Sequence, residues 1–556
     1  MTEQPYSAWR KSSAWEIIAL LIPLCGIAIS LFLLLRGIAA PWNGYGDSDG
    51  ALFGSIARNY LQFGVFDLKF GQLVTYEEIT RPVGFYYLHH PPLFPLLVML
   101  SVSLFGDMEM NVRLVSVLAT LATMAVLFVL LRKTVSAPAA VYGVFLFASY
   151  PSTIFFGRKP GYEALTLFFV ILAVWLYRNY NEGRRPGALY LLLGALAAGA
   201  ASDWAAYLLP LALFFHHLIS RNHRPLDRRL LAGLAIVPAG MLLLFLFSIY
   251  LVDKASVLDL LHQGLAYTGL YSQGGAVAQN IIEAKIDFSA SEYVFRLVKN
   301  YDSAFGLVSA LLALIGLLYS ARFKEARYCA FALLFVALGT FIVFWRSLYF
   351  HLWWLHLLAA PLAMLGAVAI NGIVAGAKAE GFASSAAARA LLIGALAMPV
   401  VVGMLYNARQ IGGEQVRVLP EQYPEKPDFI RELGRGIGGL TSAGDQVMTN
   451  LTQIKSSIAN PYSRILPYYS RRIIVSGITN PNEVQRQFDL SDQMITGGRY
   501  FLLFAHQQPD AAELRLSAWL EAAATRTPLK IQGHSLYLYK LENDIVQHSR
   551  NRAHRS

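Results

Sequence analysis

GDSDGALFGSIARNYLQFGVF, residues 46–66, begins only ten residues after the chain's first long apolar run, residues 15–35. Two carboxylates, Asp47 and Asp49, therefore stand beside a segment long enough to cross a bilayer. Downstream of them, Leu52, Phe53, Ile56, Ala57, Tyr60 and Leu61 fall on one helical face, with Ser55, Arg58, Asn59 and Gln62 opposite. That pattern predicts a helix over residues 51–66 lying in a membrane interface rather than crossing it. An Asp-x-Asp placed there either caps the helix or does chemistry.

Composition agrees with a membrane setting. Of 556 residues, 56% are hydrophobic and only 15% are charged, and the mean hydropathy is +0.45. A soluble domain carries about a quarter charged residues. The net charge of +11 bears less on nucleic acid than on topology, since no basic stripe is interleaved with aromatics. Cys25 and Cys329 both lie in apolar runs, which argues against a disulfide framework or a thiolate metal site. Arg10 and Lys11 precede the first run as in a signal peptide. That run is long enough to span and lacks a small-residue cleavage site, so it reads as a retained helix.

Apolar runs of about 20 residues mark candidate spans at residues 15–35, 112–131, 138–156, 164–177, 187–201, 205–219, 230–251, 304–320, 328–345, 352–374 and 390–406. With the N-terminus inside, the inner loops collect about sixteen basic residues against about five acids, as the positive-inside rule requires. Residues 91–105 are apolar but short. Counting them as a span would move Arg132 and the Arg178–Arg185 cluster outside, so they read as juxtamembrane or re-entrant. The outer segments are then 41–111, 157–163, 202–203, 252–303 and 346–351, with the tail after Asn407. Span interiors carry no Asp, Glu, Lys or Arg, which disfavours a proton or ion path.

From Gly412 the composition becomes that of a soluble domain. Residues 447–450, 473–476, 500–504 and 536–539 read as strands, and 480–490 and 510–524 as helices. This divides the chain into a membrane domain, 1–411, and an extracytoplasmic α/β domain, 412–556, whose last residues, 543–556, read as a disordered tail. No Walker-type or dinucleotide loop occurs.

The unusual polar residues gather on the outer side. Asp47 and Asp49 suit either a helix cap or a general base whose basicity is raised by a second acid and an apolar surrounding. His89 and His90, before Pro91 and Pro92, mark a rigid extended entry into the next apolar segment. Either ring can meet a phosphate or a metal, although a structural pair is the commoner case. Glu77, Glu78 and Arg81 are candidate substrate contacts on a loop that can equally be a solvated face. Arg158 and Lys159 depart from the positive-inside trend and are candidates to hold an anionic head group, with Glu163 completing the site. Simple lipid anchoring is the alternative. Arg346, Tyr349 and His351 are candidates for a second phosphate edge, whereas Trp345, Trp353 and Trp354 fit an interfacial aromatic belt. Asn450-Leu451-Thr452 matches a glycosylation triplet that arises often by chance.

In order, spacing and sidedness, these residues resemble the GT-C membrane glycosyltransferases, in the family 39-like branch of protein O-mannosyltransferases and lipid A aminoarabinose transferases. The resemblance covers roughly the first 410 residues. It is carried by DGALFGSIARNYLQFG (49–64), His90-Pro91-Pro92-Leu93, residues 106–114 ending in Arg113-Leu114, Tyr162-Glu163-Ala164-Leu165, and residues 349–361. It implies a polytopic α-helical membrane protein of GT-C type, with about 11 transmembrane helices, interfacial helices in the first outer loop and a small C-terminal α/β domain. The family's catalytic Asp matches Asp49, while Gly50 replaces its usual second acid. Asp47 can substitute, and both remain candidates for the base. Glu163 falls where relatives place an acid that helps bind the donor or, in some, a metal; Asp203 falls where they often have a base, so it takes no role. No cofactor follows, and a divalent metal is compatible.

The implied reaction is inverting transfer of a sugar from a polyprenyl phosphate to a hydroxyl of a lipid, glycan or protein. It would take place on the outer face of a bacterial cytoplasmic membrane, with the N-terminus inside and the C-terminal domain outside. The competing readings are an oligosaccharide ligase or polymerase with a lipid diphosphate donor, and a polyprenyl-lipid flippase or transporter.

Overall fold

A computed structural model describes residues 14–75, 85–183, 185–220, 227–268, 289–350, 352–379, 381, 385–407, 419–424, 426–451, 462–491 and 497–542. These divide into two compact units. The first comprises Met1–Ile38, Leu88–Leu97 and Arg113–Ile411; the second comprises Ala39–Tyr87, Val98–Val112 and Gly412–Ser556.

The first unit is helical, and each of the eleven apolar runs falls on helix. Five helices among the described residues are long and apolar enough to cross a membrane: Glu109–Thr134, Tyr162–Gly183, Arg228–Val252, Lys324–Val343 and Trp353–Ala377. The remaining runs make shorter or broken helices, for local reasons. Residues 138–156 split into Ala137–Ser149 and Pro151–Phe156 because Tyr150, before Pro151, is held extended at φ −69 and ψ 128. The Ser136 hydroxyl accepts from Ala139 N–H (3.2 Å) and caps the first piece. The run at 304–320 bends by 87° between Ala290–Phe305 and the following helix. Gly306 takes φ +72 at that corner, a value glycine adopts without strain. Arg113, just inside the edge of a predicted span, is fully buried and donates to the Ile38 carbonyl (2.8 Å).

Helix Leu307–Tyr319 packs closely on Ala359–Ala379. A Cβ at Gly316 would lie 1.9 Å from the Leu365 carbonyl oxygen, so the two backbones meet where only a hydrogen fits. Large apolar side chains point outward from Arg228–Val252, among them Ile236, Leu243, Leu244 and Phe247, as a lipid-facing helix requires. The segment 252–303, expected only as an outer loop, contains helices Lys254–Thr268 and Ala290–Phe305.

In the second unit, the helix after the first apolar run spans Gly44–Phe63, earlier than the 51–66 expected. Its amphipathic reading does not hold. Ser55 and Asn59, placed on the polar face, are buried, while Leu61 is exposed. The buried polar groups are satisfied within the protein. Ser55 donates to the Leu52 carbonyl (3.0 Å) and Asn59 to the Leu73 and Thr75 carbonyls (2.8 and 3.2 Å). Protein rather than interface covers this helix. The short pair β1 (Leu73–Val74) and β2 (Phe85–Tyr86) is antiparallel.

A second sheet in this unit has the order β4-β3-β5-β7-β6. Its strands are β3 (Gln446–Thr449), β4 (Ile473–Val475), β5 (Arg499–Leu503), β6 (Ala524–Ile531) and β7 (His534–Leu541). β3 runs parallel to β4 and β5, and β7 antiparallel to β5 and β6. Helices Pro481–Ser491 and Ala511–Ala523 match the expected positions. Strand β6 and helices Pro427–Leu440 and Tyr462–Ser470 were not anticipated.

Candidate functional site

Each unit holds part of the polar constellation expected from the sequence. In the second unit, Asp47 and Asp49 both lie inside helix Gly44–Phe63. Residues two apart on a helix point in different directions, so the expected mutual perturbation of neighbouring carboxylates loses its geometric basis. The two acids have separate partners. Asp47, in the first turn, accepts from the N–H of the N-cap residue Asn43 (3.3 Å) and so caps its own helix. Asp49 pairs with Arg464, its Oδ1 lying 2.6 Å from Nη1.

That contact belongs to a larger arrangement on helix Tyr462–Ser470. The Arg58 guanidinium lies 3.8 Å from the Tyr468 ring centroid and 2.6 Å from Asp107. Tyr468 donates to Asp107 (3.2 Å) and Tyr469 to Glu109 (2.7 Å). Burial foremost, with the nearby acids, pushes both phenols well above the usual tyrosine range, so they are donors at neutral pH.

In the first unit, the tight turn before helix Tyr162–Gly183 delivers Lys159 and Glu163 to one place. Helix Tyr162–Gly183 starts with Glu163 in its first turn, where the helix dipole favours a carboxylate. Lys159 Nζ lies 3.1 Å from Glu163 Oε1, with the two side chains 8% and 12% exposed. The ammonium also faces the rings of Phe156 and Trp353, at 5.8 and 5.7 Å. Arg158, on the same turn, is half-buried.

Beside this pair lies a narrow cleft of about 10 Å³, partly open to solvent, lined by Glu163, Thr166, Asp203, Trp353, Trp354, His356 and Leu357. Among the described residues, Glu163 Oε2, Thr166 Oγ1 and His356 Nδ1 are buried and accept or donate no hydrogen bond. Buried polar atoms without partners are uncommon. Collected around so small a hollow, walled by two indoles, they suit a water or one hydroxyl.

The His-Pro-Pro segment is tied to the same region. His90 Nδ1 lies 3.0 Å from Asp203 Oδ1, and its ring stacks on Tyr162 at 4.5 Å. Asp203 also caps the following turn by accepting from Trp204 N–H (2.7 Å), while the Trp204 indole donates to the His89 carbonyl (2.8 Å). Burial, then the neighbouring His90, lowers His89 to about 4. His89 is therefore neutral at pH 7 in the ligand-free protein. His90 serves as a clamp on Asp203.

Arg346 does not gather with the turn cations in any contact described. Its Nη1 points to the Ala266 carbonyl at 3.4 Å, and the adjacent Trp345 indole donates to the Thr268 carbonyl (3.0 Å). Trp345 thus anchors helix Lys254–Thr268 in addition to any belt role. Glu77, Glu78, Arg81, His351, Thr452 and the tail lie outside the described residues, as does the side chain of Tyr349. Among the described residues, no three His, Cys, Asp or Glu side chains are grouped to hold a metal ion.

Sequence reading missed Asp203, Trp353, Trp354 and His356 as cavity residues, and Arg464 as the partner of Asp49. The doubled Trp before His356 carried some signal. Arg464, 415 residues from its partner, carried none.

Residues 89–252 match the family model described as dolichyl-phosphate-mannose-protein mannosyltransferase. A stretch of 142 residues, 25% of this chain, is 26% identical to YkcB of Bacillus subtilis, whose name provisionally assigns it to the mannosyltransferases; the match spans a fifth of that protein's length. Among solved structures, ArnT from Cupriavidus metallidurans is similar at a TM-score of 0.55 and 14% identity, over 94% of this chain and 98% of that one. The same figures hold for ArnT bound to undecaprenyl phosphate. The Archaeoglobus fulgidus oligosaccharyltransferase gives 0.52 at 16% identity, over 89% of this chain and 70% of that one.

Proposed function

We propose that this multi-pass membrane protein of GT-C fold, family 39-like in its resemblances, is an inverting glycosyltransferase using a polyprenyl-phosphate sugar. Its acceptor is a hydroxyl of a lipid, glycan or protein on the outer side of a bacterial cytoplasmic membrane. One observation carries the reading: the buried Lys159–Glu163 pair, within residues 89–252 that match the mannosyltransferase family model, borders a cleft whose other wall is Trp353 and Trp354. A structural relative bound to undecaprenyl phosphate supports the class of donor.

In this scheme Lys159 and Arg158 meet the donor phosphate and stabilise the charge that grows on it as the anomeric bond breaks. Glu163 and His356 bind a sugar hydroxyl beside Trp353 and Trp354. Asp49 removes the acceptor proton as the hydroxyl attacks. Asp49 is preferred over Asp47 because Asp47 already caps its own helix.

The test uses the purified protein in nanodiscs with a synthetic polyprenyl-phosphate hexose and a cell-envelope acceptor fraction, reading release of polyprenyl phosphate. Wild type is expected to release it. Asp49→Asn should release none while still binding the donor. Undiminished release by Asp49→Asn rejects Asp49 as the base, and loss in Asp47→Asn alone transfers the role. No release by wild type with any hexose or pentose donor rejects the reading.

A further inference from the structure

We infer that Arg464, carried by the C-terminal helix Tyr462–Ser470, is a positioning residue that holds the Asp49 carboxylate for catalysis, so that the C-terminal segment completes the site. The inference rests on the proposed role of Asp49. It goes beyond that role by making turnover depend on a residue far along the chain that touches no substrate.

Helix Tyr462–Ser470 is seated by several contacts rather than by the ion pair alone, all within the second unit. A Cβ at Gly54 would come 2.8 Å from Tyr468 Cε2, so the absence of a side chain there lets the ring lie against helix Gly44–Phe63. Arg58 covers the same ring, Asp107 accepts from Tyr468, and Glu109 accepts from Tyr469. The Tyr469 oxygen in turn accepts from the Trp42 N–H at 2.9 Å, next to the start of the Asp49 helix. Arg464 and Tyr468 are four apart and share a helix face. Seating Tyr468 therefore delivers the Arg464 guanidinium to Asp49 at 2.6 Å.

The pair is only partly solvated, at 14% and 28% side-chain exposure. Two charges in that setting attract more strongly than on an open surface. Local capping does not account for this contact, because Asp47 already caps the helix. A guanidinium fixed by a docked helix limits the rotamers of Asp49. A base has to be aligned with the proton it takes, and a displacement of about 1 Å costs about 10²-fold in rate.

The experiment uses the full chain with Arg464→Ala, Arg464→Lys and Asp49→Asn in the polyprenyl-phosphate release assay. kcat, the KM for donor and thermal stability are read for each. Arg464→Ala should lower kcat by about 10²-fold with donor KM and melting temperature near wild type. Added guanidinium chloride at low millimolar concentration should restore part of the lost kcat, and Arg464→Lys should lie between. Arg464→Ala should change nothing further in an Asp49→Asn background. If Arg464→Ala does not purify, Arg464→Gln is read in its place. Unchanged kcat in Arg464→Ala beside an inactive Asp49→Asn overturns the positioning role and leaves the proposed function standing. A loss that guanidinium does not restore and that comes with a lower melting temperature overturns it too, because Arg464 then only holds the fold. Full activity of Asp49→Asn removes the base assignment itself.

Discussion

Replacing Lys159 by methionine removes the cation from a pair that is nearly desolvated. The Nζ–Oε1 distance is 3.1 Å and the side chains are 8% and 12% exposed. With charge centres about 4 Å apart and an effective dielectric constant of about 20, their attraction is about 4 kcal/mol. Breaking a buried pair by deleting one partner costs about 3–5 kcal/mol, since the remaining charge is left without compensation. The two single variants should differ. In Lys159→Met, Glu163 keeps neither partner, because its Oε2 has none among the described residues, so the full cost is expected. In Glu163→Gln, Lys159 still faces an amide oxygen and the rings of Phe156 and Trp353, an aromatic contribution of about 0.5–2 kcal/mol. That variant should lose less. The double variant Lys159→Met/Glu163→Gln should recover at least about 2 kcal/mol of the summed loss, because neither charge is left behind. Reversible unfolding in bicelles titrated with sodium dodecyl sulfate gives the free energies for the cycle. Additivity within about 0.5 kcal/mol would mean that the two groups are not coupled, and the reasoning from burial would fall with it.

Gly316→Ala places a methyl 1.9 Å from the Leu365 carbonyl oxygen and should destabilise the first unit by about 1–3 kcal/mol; a melting temperature equal to wild type would show that the helices can part without cost. His89 predicts an acid limb of stability. Its folded value, about 4, lies below the unfolded 6.5, so the unfolded chain binds the proton first as pH falls. The contribution is complete above pH 6.5, shrinks between 6.5 and 4, and is gone below. His89→Asn should therefore show a flatter melting temperature across that window, and a slope identical to wild type would contradict the assignment.

That the apolar runs form helices was legible because transfer to lipid depends on composition summed over about five turns of consecutive side chains, which a linear reading captures. Breaks within them were partly legible: Pro151 announces the extended Tyr150, whereas the 87° corner at Gly306 depends on a positive φ that glycine permits but does not dictate. The amphipathic reading of residues 51–66 failed for a definite reason. Periodicity separates apolar from polar faces but does not say whether the polar face meets water or protein. Here Asn59 and Ser55 are bonded to carbonyls, and Arg58 serves as a lid on Tyr468.

The site divides along the same line. Lys159 and Glu163 were readable together because they lie only four positions apart in one tight turn. Asp203 and His356 were not, since their shared cavity with Glu163 depends on where the ends of three separate helical segments come to rest. Sequence alone determined that this chain is a multi-pass membrane protein resembling the GT-C enzymes, because hydropathy and short motifs are local properties. Tertiary structure decided which acid meets which cation. Asp49 finds Arg464 and Lys159 finds Glu163 through packing of side chains whose separation along the chain, in the first case, leaves no periodic trace.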